Sequence, residues 1–379
     1  MFYTQRKLIF VFLLVFFIFD VCAADQFFAS AKQAIVVDYK TGQILYEKNS
    51  DQKMTPSSMS KLMTLYIAFD KLKNGQINPE DTYRVSKKAW QRGGSTMFLK
   101  EGQRVKVKDL LKGVAVVSGN DASITLAEGI CGSEEKFVEL MNQTAKSIGL
   151  TNSNFKNSSG WPEDQHFMTS ADLAKLAVAL YRDFPQYCSL FALKSLLYNG
   201  ITQKNTNESL FALDAVDGIK TGRTQDGGWG VVVSWQKDSQ RVFAVVNGLN
   251  SSQKRLQEVK NILSYISNNF KNKTIFKKDD IIGLIDILFG EESKLEIVAN
   301  DDLDIVYQGG KKDLVKIRLL YSARLEAPIK KGQEIAKIVL TMPDLQVRSY
   351  TIFATRDVKR IGPLKEKWYR LIKFIVGRV

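Results

Sequence analysis

Hydrophobic and polar positions change their period several times along the chain, and each change marks an element. Ile35-Val36-Val37-Asp38 and Gln43-Ile44-Leu45-Tyr46 flank the glycine-containing Tyr39-Lys40-Thr41-Gly42, which predicts a β-hairpin. Pro56 then opens a stretch in which Met59, Leu62, Met63, Tyr66, Ile67 and Phe69 recur at helical spacing. The same spacing predicts helices through Leu110 to Ala127, Glu135 to Ile148 and Ser170 to Tyr181, the last with Ser170 as N-cap. Two β-rich runs follow, Trp229 to Trp235 and Arg241 to Leu249, joined by Lys237-Asp238-Ser239-Gln240. A closing helix carries Leu256, Val259, Leu263, Ile266 and Phe270 on one face. This order predicts one α+β domain, residues 25–272, with helices against an antiparallel sheet.

Lys271 to Lys278 is rich in Lys and Asn and reads as a linker. Beyond it the apolar runs are short: Leu295 to Val298, Leu303 to Tyr307, Val315 to Tyr321, Glu334 to Leu340 and Arg348 to Phe353. Gly309-Gly310 and Lys330-Lys331-Gly332 separate them, predicting a small all-β domain over residues 275–355. The last 24 residues, 356–379, change period again. Leu364, Trp368, Leu371, Ile372, Ile375 and Val376 form one helical stripe, flanked by Lys365, Lys367, Arg370 and Lys373. A basic amphipathic helix with an interfacial Trp is the pattern of a segment lying flat on an anionic membrane surface.

At the other end, Arg6 and Lys7 precede an apolar run from Leu8 to Phe19 and the small-residue sequence Val21-Cys22-Ala23-Ala24. Residues 1–24 therefore read as an export signal, too short in its apolar run to span a bilayer comfortably. After cleavage only Cys131 and Cys188 remain, so at most one disulfide can form, and whether the two meet stays open.

Composition narrows the chemistry. The chain of 379 residues holds one histidine, His166, which excludes mechanisms built on two imidazoles, HExxH metallopeptidases among them. No metal or cofactor is expected. Of the formal charge of +14, residues 1–24 carry +1 and residues 356–379 carry +6, leaving +7 for the 331 residues between. The excess sits at one end with no aromatic-interleaved basic groove, so nucleic acid is not an expected partner.

Three short motifs carry candidate chemistry. Ser58-Met59-Ser60-Lys61 opens the Pro56 helix, where residues i and i+3 share a face and the amine can reach the hydroxyl. Serine needs a base to become a nucleophile, and a lysine desolvated near other cations is neutral enough to serve. In Ser118-Gly119-Asn120 the hydroxyl can relay a proton to a leaving amine and the carboxamide can hydrogen-bond a substrate amide. Lys-Thr-Gly occurs twice: Lys40-Thr41-Gly42 is the hairpin turn, while in Lys220-Thr221-Gly222 the glycine lets a substrate or helix approach a strand. His166, in the loop Glu163-Asp164-Gln165-His166, is either a catalytic base or a loop histidine ordering the edge of the site, and a lysine already beside the candidate nucleophile, Lys61 near Ser58, favours the second.

SxxK, SxN and KTG in that order resemble the ordered triplet of penicillin-binding proteins and serine β-lactamases. The surrounding segments, Pro56 to Thr64, Gly93 to Leu99, Asp109 to Ala122 and Val216 to Gly222, are similar to the low-molecular-mass D-alanyl-D-alanine carboxypeptidases of peptidase family S11. The likeness extends to Ala327 to Gly332 and to the C-terminal helix. It implies a transpeptidase-like α+β domain followed by the all-β domain and an anchoring helix. It also implies Ser58 as the acylated nucleophile, Lys61 as general base, and Ser118 and Asn120 as the second motif. Lys220, Thr221 and Gly222 bind the carboxylate side of the substrate, and the backbone N–H groups of Ser58 and Arg223 form the oxyanion hole. Some relatives carry His where Arg223 stands, and Asn205-Thr206-Asn207 lies upstream, so Arg223 is expected to assist carboxylate binding.

The activity so implied is penicillin-sensitive removal of the terminal D-alanine from peptidoglycan pentapeptide stems, at the periplasmic side of the bacterial inner membrane. Trimming these stems limits cross-linking and affects wall shape. A peptidoglycan DD-endopeptidase and a weak β-lactamase are alternatives on the same fold, although the latter's acid-x-x-Leu-Asn context is missing around Glu163 and Asp164. A non-catalytic wall scaffold is the alternative of a different class.

Overall fold

The structure is a computed structural model, describing residues 27–309, 315–321, 325–341 and 347–376. The export signal expected over residues 1–24 lies outside the described residues. The predicted hairpin forms as β1 (Gln33–Asp38) and β2 (Ile44–Lys48). A 3₁₀ turn over Ser57–Ser60 then leads into α1 (Lys61–Lys73). The ribbon β3 (Thr82–Arg84) and β4 (Arg104–Lys106) brackets the short helix α2 (Lys87–Gln91). Next come α3 (Val107–Val116), α4 (Asn120–Cys131), α5 (Glu134–Ser147) and α6 (Ser170–Asp183). A second ribbon, β5 (Ser195–Tyr198) with β6 (Ile201–Lys204), and the one-turn α7 (Ser209–Ala212) precede β7 (Val216–Thr224), β8 (Gly228–Lys237), β9 (Gln240–Leu249) and α8 (Ser252–Asn269).

One antiparallel sheet, ordered β2-β1-β9-β8-β7, organises these elements. Its inner strands are covered on both faces, so their sequences are continuous apolar runs and the side chains sort by alternation. Ile35, Val37, Phe243 and Val245 point into a core shared with α1, α3, α4 and α6. Ala34, Val36, Ala244 and Val246 point into a second core built with Val259, Ile262 and Ile266 of α8. At the sheet's edge stands β7, which packs along the 3₁₀ turn and thereby sets Lys220-Thr221-Gly222 beside Ser58.

Three expectations change. The helix through Leu110 to Ala127 is two helices, broken at Val117-Ser118-Gly119, where Ser118 takes φ +61°. The N-cap of α6 is Thr169, whose side chain accepts from the Asp172 N–H, rather than Ser170. The Lys- and Asn-rich stretch is no linker: β10 (Phe270–Phe276) follows α8 directly and pairs with β13 (Leu303–Gln308). Because this is a two-stranded ribbon, most of its side chains stay partly or fully exposed, and the sequence stays polar.

The remaining strands are β11 (Ile281–Leu288), β12 (Lys294–Val298), β14 (Lys316–Tyr321), β15 (Leu325–Glu326), β16 (Glu334–Thr341) and β17 (Val347–Phe353). With β13 they enclose a separate core rich in Ile, including Ile285, Ile297, Ile305, Ile338 and Ile352. The chain closes with α9 (Pro363–Val376), as its stripe predicts.

Candidate active site

The 3₁₀ turn makes Ser58 and Lys61 neighbours, since residues three apart eclipse in that geometry. Lys61 Nζ lies 2.8 Å from Ser58 Oγ, 2.7 Å from Asn120 Oδ1 and 2.5 Å from the Ser159 carbonyl oxygen. Lys61 is buried, and burial first, then the charge of Lys220, pushes its pKa well below the ordinary lysine value. Asn120 Oδ1 and the Ser159 carbonyl accept from the amine, and its remaining hydrogen-bonding position faces Ser58 Oγ.

Two glycines permit this packing. A Cβ on Gly222 of β7 would meet Pro56 O at 2.9 Å, and one on Gly160, at φ +75°, would meet Ser57 O at 2.0 Å. Any side chain at either position pushes the 3₁₀ turn out of place.

Ser118 sits in the break between α3 and α4, its buried hydroxyl without a protein partner. Its left-handed backbone is uncommon for a residue with a Cβ, and such outliers gather at functional sites. Asn120 differs from the expectation of a substrate-facing carboxamide: besides holding Lys61, its Nδ2 donates to Gly93 O at 2.9 Å. In the free enzyme Asn120 ties the lysine to the loop opposite β7.

Lys220 is buried on β7, and burial, with the charge of Arg255, brings its pKa down to about 7. Thr221 Oγ1 lies 2.8 Å from Thr206 Oγ1, whose segment is anchored by the Thr206 N–H to Val116 O. Thr206 and Thr221 line a cleft of about 1010 Å³ with Ser58, Ser118, Trp161 and Trp229. Arg223 is exposed and stacks on Trp229, its guanidinium carbon 4.5 Å from the ring centroid.

Arg255 of α8 also lines this cleft, and sequence reasoning missed it. It is buried, with its guanidinium carbon 5.2 Å from the Trp229 ring centroid, and it pairs with the carboxylate of the half-exposed Glu208 at 3.4 Å. The missed signal is periodicity: Arg255 shares the buried stripe of α8 with Val259, Ile262 and Ile266, and a charge on a core-facing stripe needs a reason.

His166 is buried, with Nδ1 accepting from the Lys156 N–H at 3.3 Å and the ring edge-on to Phe155. Burial, then the charge of Lys61, lowers its pKa to about 4, so it is neutral at pH 7. Cys131 and Cys188 are both free. Among the described residues no group of three or more His, Cys, Asp or Glu is arranged to hold a metal.

Residues 21–251 match the family described as D-alanyl-D-alanine carboxypeptidase, and residues 270–360 match the C-terminal domain of penicillin-binding protein 5. A D-alanyl-D-alanine carboxypeptidase of Escherichia coli is 34% identical over 353 residues, covering 91% of this chain and 88% of its own. The crystal structure of penicillin-binding protein 5 from Haemophilus influenzae superposes with a TM-score of 0.82 at 32% identity, covering 88% of this chain and 99% of that one. Penicillin-binding protein D2 of Listeria monocytogenes, solved in an ampicillin-bound form, is 25% identical with a TM-score of 0.56 over 63% of this chain and 98% of its own. With three ordered motifs converging on one cleft and a family match over more than half its length, the chain belongs to the D-alanyl-D-alanine carboxypeptidase family of serine peptidases.

Proposed function

We propose that the chain is a serine carboxypeptidase that removes the terminal D-alanine of peptidoglycan pentapeptide stems and is acylated by β-lactams at the same residue. The observation carrying this reading is the buried Lys61 amine, 2.8 Å from Ser58 Oγ. Lys61 takes the Ser58 proton as Oγ attacks the carbonyl carbon of the penultimate D-alanine. The N–H groups of Ser58 and Arg223 receive the oxyanion, preorganised donors of this kind being worth about 3–4 kcal/mol each. As the C–N bond breaks, the proton held by Lys61 reaches the departing amine by relay through the Ser118 hydroxyl; water then attacks the Ser58 ester, giving its proton to Lys61, which returns it to Ser58 Oγ as the shortened stem leaves. Lys220 and Thr221 meet the substrate carboxylate; the cleft adds Arg255 as its buried cation, with Arg223 at the rim. Incubating purified pentapeptide muropeptides with the enzyme is expected to remove one D-alanine by mass, and Ser58→Ala to remove none. Unshortened stems after incubation with the wild-type enzyme would overturn the reading.

We further propose that α9 holds the enzyme peripherally on an anionic membrane surface at the periplasmic side of the inner membrane. Supporting this, Leu364 and Trp368 are 80% and 63% exposed, and Leu371, Ile372 and Phe374 are also exposed, beside Lys365, Lys367 and Arg370. Among the described residues no helix is long and apolar enough to cross a membrane.

A further inference from the structure

A second cleft opens next to the catalytic one. Gly94 and Ser95 line the catalytic cleft, while Gly93 and Thr96 line its neighbour together with Trp90, Phe98 and Lys100. Its volume of about 320 Å³ falls at the small end of the range for ligand cavities, about 300–1,000 Å³. Two large aromatic rings flank it in water, Trp90 at 49% and Phe98 at 50% exposure.

The display of Phe98 is built rather than incidental. Met97 and Leu99 on either side are buried, and Phe98 is turned outward by a left-handed backbone at φ +63°. The buried carboxylate of Asp121 fixes that turn by accepting from the N–H groups of Met97 and Leu99 and from the Thr96 hydroxyl. Thr96 Oγ1 in turn accepts from the Phe98 N–H at 2.9 Å. A bulky residue in this conformation is strained and persists only where its surroundings enforce it. Here the strain exposes an apolar ring, so folding gains nothing from it.

We propose that this cleft binds an N-acetylated amino sugar of the glycan strand from which the peptide stem hangs. The inference rests on the carboxypeptidase reading and adds a subsite to it. A pyranose offers a face of C–H groups that packs on the negative face of an aromatic ring. Two exposed rings beside a sugar-sized cleft suit that face, and the Lys100 ammonium offers donors to hydroxyl or acetamido oxygens. The reach also fits. Gly93 O is joined to Ser58 Oγ by three successive contacts, through Asn120 Nδ2 at 2.9 Å, Lys61 Nζ to Asn120 Oδ1 at 2.7 Å, and Lys61 Nζ to Ser58 Oγ at 2.8 Å. The four stem residues before the scissile bond span at most about 13–14 Å when extended. A stem acylating Ser58 is therefore long enough to place its sugar end at the Gly93 side of this cleft.

The test compares kcat/KM on two substrates, diacetyl-Lys-D-Ala-D-Ala and a disaccharide pentapeptide, for the wild type, Trp90→Ala and Phe98→Gly. Glycine accepts the left-handed backbone, so the second variant removes the ring without adding strain. The wild type is expected to prefer the disaccharide substrate. Each variant should lose about five- to tenfold of that preference, the size of one aromatic contact, with the tripeptide rate unchanged. A preference ratio that does not move, or both substrates slowing equally, would overturn the sugar subsite. A wild type active on the tripeptide but indifferent to the sugar overturns the subsite and leaves the carboxypeptidase reading standing. Inactivity on both substrates overturns both.

Discussion

The body built on the five-stranded sheet and the β region that follows it handle charge in opposite ways. The body buries Lys61, Lys220, Arg255, Asp121, Glu134 and Asp172. Among the described residues beyond Phe276, only Asp304 is a buried charged group, and it is answered by Lys40 at 3.3 Å and the Thr274 hydroxyl at 2.6 Å. Taking an ion out of water costs several kcal/mol even after relaxation, so buried cations accumulate only where something offsets the cost. In the body the acids are fully engaged: Asp121 by backbone N–H groups, Glu134 by Lys88 and Ser158, and Asp172 by Asn152 and Ser153. At the site the lysines are answered by neutral oxygens: Lys61 donates to Asn120 Oδ1 and the Ser159 carbonyl, and Lys220 to the Thr221 carbonyl. Lys61 and Lys220 respond with lowered pKa values, and Arg255 waits beside a half-exposed Glu208 at 3.4 Å. The β region shows no such tension, and its contribution is an Ile-rich core and the exposed helix α9.

The largest effect that sharpens this contrast comes from the underpaired cation. Arg255→Met removes a charge proposed to meet the substrate carboxylate. A charge-assisted hydrogen bond is worth about 1.5–3 kcal/mol, so KM for a D-Ala-D-Ala peptide should rise about 10- to 100-fold with kcat less affected. Arg223→Ala, exposed at the rim, should change KM less than about threefold. A larger effect at Arg223 than at Arg255 would reverse the assignment of the two arginines. The smallest kinetic effect belongs to the other region. Removal of residues 363–379 should leave kcat/KM on a soluble tripeptide unchanged while abolishing co-sedimentation with vesicles containing anionic lipid. Retained vesicle binding would show that α9 is not the attachment.

What the sequence made legible follows the same division. The ordered triplet, the hairpins and most of the short strands could be read because a period or a rare spacing marks them. Ser58 and Lys61 fall together because the spacing of three is itself the geometry. The break at Ser118 was hidden, since Val114, Val117 and Ala122 keep an apolar helical rhythm across a left-handed residue. Ribbon β10 was hidden for the opposite reason, its polar residues being those of a solvated strand rather than a linker. Strand β11 had gone unmarked, and its Ile281-Ile282-Gly283-Leu284-Ile285 follows the polar stretch without a clear alternation. Arg255 is instructive in another way, since its role depends on which neighbours fail to pair with it, and no linear pattern records that.

The central claim is that burial keeps Lys61 neutral so that it can deprotonate Ser58. Its most direct test is the rate at which benzylpenicillin acylates the enzyme as a function of pH, with the adduct mapped by peptide mass. The account predicts an adduct on Ser58 whose rate of formation levels off well below the ordinary lysine value of 10.5, because burial lowers the pKa of the base. A rate rising about tenfold per pH unit toward the ordinary lysine value of 10.5, or an adduct on another residue, would contradict it.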